Sequence, residues 1–153
     1  MIEVWTDGSC IPNPGRGGYA WLSKCGRQGV GTEEVSTNQR MEIRAAIEGI
    51  KAFPEGSLIR LYTDSQFAIN GATKWMNGWL KNGWMTTTKQ PVKNRELWEE
   101  LKLVLETRTV EFQWVRGHNG NEMNELVDVM ANEAAQGGDE FTETRQKLWD
   151  AKE

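Results

Sequence analysis

The sequence predicts an α/β fold in a single domain, a mixed sheet covered by helices, and three observations carry that expectation. The stretch Ile2 to Cys10, IEVWTDGSC, sets Ile2, Val4 and Thr6 against Glu3, Trp5 and Asp7, the two-residue period of a strand. Short β-prone runs punctuated by glycine follow it, which reads as an antiparallel meander. Then an apolar helical pattern leads into the apolar run Leu58 to Tyr62, and a strand–helix–strand order demands a crossover and parallel pairing.

Taken in order, the first strand reads as ending where Gly8 breaks its alternation, just beyond Asp7. IPNPGRGG is a tight loop in which two prolines fix the backbone and glycines permit sharp turns. Tyr19 to Lys24 and Gln28 to Val35 are the second and third strands, with Gly26 between them. Ser36, Thr37 and Asn38 form a helix-start signal for a helix from about Arg40 to Phe53. Its inner face is Ile43, Ile47 and Ile50, it stops at Pro54, and Glu42 falls in its first turn. Leu58 to Tyr62 delivers Asp64 to its carboxyl end, as the first strand delivers Asp7. Parallel pairing puts both acids on one side of the sheet, where ligand crevices of open α/β sheets lie.

Ser65 to Asn70 reads as a short helix ended by Gly71, and Thr73 to Leu80 as another. A polar loop, KNGWMTTTKQPVKN, precedes an amphipathic helix over Arg95 to Thr107, which buries Leu97 and Leu101. Val110, Phe112 and Trp114 alternate as the last strand. After the glycine-rich RGHNGNEMNE, a helix from Glu122 to Gln136 turns Leu126, Val127, Met130, Ala131 and Ala134 inward and carries Asp128 beside Asn124 and Glu125. Residues 1–136 read as the domain and 137–153 as a tail, either a surface helix or disordered.

Composition narrows the function classes. With 153 residues, 38% hydrophobic and 26% charged, the chain is long enough for one core without covalent staples. Two cysteines without a Cys-x-x-Cys pair and a lone histidine, His118, exclude a disulfide framework and a zinc site. The start MIEVWTDGS has neither a basic leader nor an apolar signal core, and no run is long enough to cross a bilayer, so a soluble, cytoplasmic monomer is expected. The net charge of −4 argues against a generally basic nucleic-acid binder, but its distribution is uneven. No acid occurs between Asp64 and Glu96, where Lys74, Lys81, Lys89, Lys93 and Arg95 all lie, so a polyanion would be met there.

The motifs TDGSC at Thr6, PNPGRGGY at Pro12, TNQRME at Thr37, YTDSQ at Tyr62, PVKN at Pro91, VRGHNG at Val115 and NELVDVMA at Asn124 together resemble type 1 ribonuclease H, in order along the chain. The resemblance implies a ribonuclease H-like fold: a five-stranded mixed sheet in the order 3-2-1-4-5, its first three strands antiparallel. It implies metal binding by the four acids Asp7, Glu42, Asp64 and Asp128, with two magnesium ions as cofactor and manganese as a substitute. Magnesium is a hard cation that prefers carboxylate and water oxygens. Two such ions about 3.5 to 4 Å apart activate a water on one side of a phosphodiester and stabilise the leaving oxygen on the other. His118 is implied as a proton-transfer residue, its ordinary pKa being near neutrality. Glu125 resembles a supporting acid one turn before Asp128, with a plain helix-surface charge as the alternative.

The implied substrate is an RNA/DNA hybrid, told from either pure duplex by 2′-hydroxyls on one strand only. By resemblance Asn13, Asn38, Gln39 and Gln66 read the minor groove, against ordinary turn and capping roles for Asn13 and Asn38. Gln39 stands where the family usually has a second asparagine and carries the same amide one methylene further out. Thr37 and Asn94 match a phosphate-holding pocket for the DNA strand, with Lys93 adding charge. Trp75, Trp79 and Trp84 resemble the packing of a basic protrusion, in which Trp79 would border the substrate. Leu80 and Asn82 around Lys81 thin out its charge, so weaker and less salt-sensitive binding is expected than in densely basic relatives.

The activity implied is endonucleolytic hydrolysis of the RNA strand, giving 5′-phosphate and 3′-hydroxyl ends. The alternatives are a non-catalytic hybrid-binding module and a DNA nuclease or polynucleotidyl transferase on the same fold. A pure binder has no reason to hold four acids against a polyanion, and Glu42 within TNQRME favours the ribonuclease. With the first strand beginning at Ile2, a preceding hybrid-binding domain is not expected, and processivity should be low.

Overall fold

The computed structural model describes residues 1–116 and 122–137. The strands are β1 (Ile2–Cys10), β2 (Gly15–Ser23), β3 (Gln28–Ser36), β4 (Leu58–Thr63) and β5 (Thr109–Trp114). The α-helices are α1 (Asn38–Lys51), α2 (Gln66–Asn70), α3 (Met76–Lys81), α4 (Arg95–Glu106) and α5 (Glu122–Gln136). The sheet order is β3-β2-β1-β4-β5; β1, β2 and β3 pair antiparallel, while β4 is parallel to both β1 and β5. This is the mixed sheet implied by the sequence. None of the described helices is long and apolar enough to cross a membrane.

Strand alternation divides the core between two faces of the sheet. Val4 packs with Ile43, Ile47 and Ile50 of α1, Ile59 and Leu61 of β4, and Leu97, Trp98 and Leu101 of α4. Its neighbour Trp5 points the other way, into a smaller cluster with Ala20, Leu22, Leu126, Val127 and Met130. The sheet is thus covered by α1 and α4 on one face and by α5 on the other, and β1 runs between them.

Three local readings change. Gly8 does not end β1: the strand continues to Cys10, with Gly8 opposite Tyr19 and Cys10 opposite Gly17. A Cβ at Gly8 would lie 2.2 Å from the Met41 carbonyl carbon and 2.4 Å from the Glu42 nitrogen, so glycine is required there for the close approach of α1. The helix itself starts earlier than its apolar pattern, because Thr37 caps it by accepting the Arg40 N–H at 3.2 Å. Glu42 therefore lies beyond the first turn. Gly71 does not stop a helix either; its backbone is right-handed helical, and the chain passes through a π-helical turn, Gly71–Trp75, into α3. A Cβ on Gly71 would sit 2.1 Å from the Trp98 ring, so this glycine too marks close packing. The expected tail from 138 onwards and the loop carrying His118 lie outside the described residues.

Candidate active site

The site grows from the end of β1. Pairing between β1 and β4 stops at Trp5 opposite Tyr62, so on this side β1 runs on past its partner and carries Asp7 into the opening. Asp7 is buried. Asp64 follows the last residue of β4, and its position is fixed by neighbours on both sides. Ser65 N–H donates to Thr63 Oγ1 at 3.1 Å, Ser65 caps α2, and the Trp114 indole N–H donates to the Asp64 carbonyl at 3.2 Å.

Two helices bring their acids from opposite faces, each admitted by a glycine. Gly8 lets α1 approach, and Glu42 Oε1 accepts the Gly8 N–H at 3.3 Å. On the other face a Cβ at Gly18 of β2 would lie 2.4 Å from the Ala135 nitrogen and 2.5 Å from the Ala131 oxygen, so this glycine lets α5 lie against the sheet and bring Asp128. Neither close approach is visible in apolar periodicity.

Carboxylate oxygens of Asp7, Glu42 and Asp64 all lie within 4.8 Å of one another. Asp128 is outside this tight group but borders it: a hydrogen-bonding contact from Asp128 acts on Asp7, and its charge is felt by Glu42. Burial, followed by the charge of Glu42, pushes the Asp7 carboxyl well above the usual carboxylate range. Burial pushes Glu42 up to about 8, against opposing hydrogen bonds from Asp7 and the Gly8 amide and with added repulsion from Asp64 and Asp128. No amide or hydroxyl donor reaches buried Glu42 Oε2. Crowded carboxylates with a buried oxygen lacking a donor suit a hard divalent cation, which would replace mutual repulsion with shared attraction. Glu125 is exposed on α5.

The expected substrate residues form two groups. Asn13 Oδ1 accepts the Asn38 N–H at 3.2 Å, and Asn38 Oδ1 accepts the Cys10 N–H at 2.7 Å. These asparagines lock the loop after β1 to the start of α1, and both remain exposed; the helix cap belongs to Thr37 rather than Asn38. Gln66 is exposed at the start of α2 and borders a cleft of about 320 Å³ with Asn70, Lys74 and Trp114. Gln39, Lys93 and Asn94 line a different groove, of about 310 Å³, whose apolar side is Phe67, Trp79 and Trp98. Trp79 is half-buried, its ring centroid 6.1 Å from Trp75, 5.9 Å from Trp84 and 5.4 Å from Trp98. It packs the segment and borders the groove at once.

One residue the sequence reading passed over is Arg40. Its Nε donates to Glu33 at 3.3 Å, and its Nη1 to Asn94 Oδ1 at 3.2 Å and Glu96 Oε1 at 2.6 Å. Nothing in TNQRME distinguishes it from an ordinary helix-surface cation; only the fold brings 33, 94 and 96 to it.

Comparison with known proteins agrees with this geometry. The RNase H family model matches residues 1–136. A ribonuclease H of Xanthomonas campestris pv. campestris is 50% identical over 137 residues, covering 88% of this chain and 91% of the relative. One from Bordetella avium is 43% identical over 136 residues, covering 87% and 89%. Among solved structures, LC9-RNase H1, a type 1 RNase H with the type 2 active-site motif, matches with a TM-score of 0.79 at 29% identity, over 89% of this chain and 72% of that one. With a family model spanning most of its length and relatives this similar from end to end, the chain belongs to the RNase H family.

Proposed function

We propose that this chain is an endonuclease that hydrolyses the RNA strand of RNA/DNA hybrids, leaving 5′-phosphate and 3′-hydroxyl ends. The observation that carries the reading is the convergence of Asp7, Glu42 and Asp64, from a strand, a helix and a strand end, to within 4.8 Å at the edge of a cleft. Asp7, Glu42, Asp64 and Asp128 would hold divalent metal, magnesium in two ions with manganese as a substitute. When bound, such metal supplies an activated water and stabilises the leaving oxygen.

The remaining work falls to the chain's own side chains. The backbone-anchored Asp7 and Asp64 fix where the scissile phosphate must approach, and Asp128 closes the site from α5. His118 serves as the proton-transfer group. Asn13, Asn38, Gln39 and Gln66 present amides to the minor groove, where 2′-hydroxyls mark the RNA strand. Thr37 and Asn94, with Lys93, hold a phosphate of the DNA strand; Trp79 borders that groove, and Glu125 supports Asp128. We take residues 1–136 as the catalytic domain and 137–153 as its tail, the single chain as the acting unit and the cytoplasm as its compartment.

The test is incubation with labelled RNA/DNA, RNA/RNA and DNA/DNA duplexes, each with magnesium or with chelator. Cleavage of the hybrid's RNA strand alone, in magnesium alone, is the expected result. Cutting of either pure duplex, or metal-independent cutting, overturns the reading.

A further inference from the structure

Thr37 and Asn94 both have side chains that can donate or accept a hydrogen bond, so neither is committed to an anion by its chemistry alone. Each acquires a direction from the same residue. The Arg40 main-chain N–H occupies an acceptor site on Thr37 Oγ1 at 3.2 Å, and among the described residues that hydroxyl donates to nothing. The Arg40 guanidinium donates to Asn94 Oδ1 at 3.2 Å. Arginine has no acceptor, so the amide must turn its oxygen to Arg40 and its NH₂ away. No described residue takes that NH₂, and Asn94 is part of the groove wall beside Lys93 and Gln39.

Asn94 is shaped for this arrangement. It sits at φ 61° and ψ 31°, in the left-handed region that asparagine tolerates better than most side chains. Its carbonyl accepts the Leu97 and Trp98 N–H groups at the start of α4, yet its side chain makes no capping bond and is left for Arg40. The guanidinium, for its part, is matched by two carboxylates, Glu33 on β3 and Glu96 on α4. Its fork therefore spans β3, the residue before α4 and α4 itself, with its charge already answered.

Resting on the proposed phosphate contacts of Thr37 and Asn94, we propose that Arg40 is a positioning residue for the DNA strand: it touches no phosphate but turns Thr37 and Asn94 into paired donors. A compact ammonium cannot reproduce this. Lysine offers a point charge that would settle on one carboxylate and release the amide.

The test is steady-state kinetics and hybrid binding of the full chain, its Arg40→Lys variant and its Asn94→Ala variant. Substrates carry a single neutral methylphosphonate walked along the DNA strand, and thermal unfolding is recorded for each protein. Arg40→Lys should raise KM about threefold to tenfold, the worth of one such hydrogen bond, at unchanged kcat. One methylphosphonate position should weaken the parent protein and have no further effect on either variant. The salt dependence of binding should keep its slope in Arg40→Lys, since no phosphate contact is lost.

Two results overturn the proposal. If the losses from Arg40→Lys and from methylphosphonate add at every position, Arg40 acts through the fold alone. If the salt slope falls by about one in an Arg40→Met variant whose melting temperature is kept, Arg40 itself meets a phosphate. Failure of the underlying reading looks different. A parent protein that cleaves the hybrid but is indifferent to every methylphosphonate has no such DNA-phosphate pocket, and one that leaves the hybrid intact is not the nuclease proposed.

Discussion

The carboxylate end of β1 and the aromatic segment between Gln66 and Trp98 are built on opposite terms. At the first, Asp7 and Glu42 are buried beside Asp64, and burial and mutual repulsion both oppose their charge. At the second, Phe67, Trp75, Trp79, Trp84 and Trp98 make tilted and edge contacts at centroid distances of 5.4 to 6.1 Å, the geometry aromatic rings prefer. The lysines of that segment, at 74, 81, 89 and 93, stay exposed and form no ion pair among the described residues. One region gives up stability to concentrate charge where chemistry is needed; the other uses apolar packing to hold cations outward. Mutations at the first should therefore trade activity against stability, and at the second should cost stability first.

The sharpest test of that contrast is Asp7→Asn. Cleavage should fall about a thousandfold or more, since several kcal/mol of transition-state stabilisation depend on the ligand set. Without magnesium the variant should be at least as stable as the parent. A large loss of metal-free stability in equilibrium denaturation would make Asp7 a structural residue. The pH dependence has a definite sign. The folded Glu42 keeps its proton to about 8, whereas an unfolded one releases it near 4.5, so its contribution to stability is full below about 4.5 and is lost as pH rises to about 8. Asp7, also raised, acts in the same direction. In chelator the parent should lose stability across that window, and magnesium should flatten the curve. Stability that rises with pH from 5 to 8 in chelator would contradict the burial of the pair.

At the aromatic region the corresponding change is Trp98→Ala. Its ring is almost wholly enclosed, at 1% exposure, and fills the space that Gly71 leaves open. Removing it should destabilise the fold by about 3–5 kcal/mol, read by denaturant unfolding, with kcat retained in the folded fraction. Equal losses of kcat and stability would mean that the two regions are not separable.

The same contrast governs what the sequence revealed. Strand and helix periodicity is a property of burial, so β1, α1, β4, α4 and α5 could all be read, as could the placement of Asp7 and Asp64 at parallel strand ends. Close approach of backbones is not periodic. Gly8 and Gly71 therefore looked like breaks when both are clearances, for α1 and for the Trp98 ring. The four-acid set came from resemblance and from strand-end logic, yet the tighter grouping of three, with Asp128 at its border, depends on helix placement that no spacing encodes. Arg40 was invisible for the same reason: its partners stand 7, 54 and 56 residues away.

The smallest expected effect lies between the two regions, at Gln39. Its side chain is exposed, lines the groove with Lys93 and Asn94, and makes no hydrogen bond to the described residues, so nothing in the fold holds its amide in place. A glutamine that must be ordered to meet the minor groove gives up rotamer freedom, about 0.5–1.5 kcal/mol for an immobilised side chain. Asparagine has one fewer rotor and places the same amide closer to the α1 backbone. Gln39→Asn should leave the unfolding midpoint unchanged and shift KM for the hybrid by no more than about threefold to tenfold, downward if the shorter amide still reaches a 2′-hydroxyl. Gln39→Ala should raise KM by a similar factor at constant kcat. If both variants match the parent on the hybrid, Gln39 is an ordinary surface residue, and groove reading rests on Asn13, Asn38 and Gln66 alone.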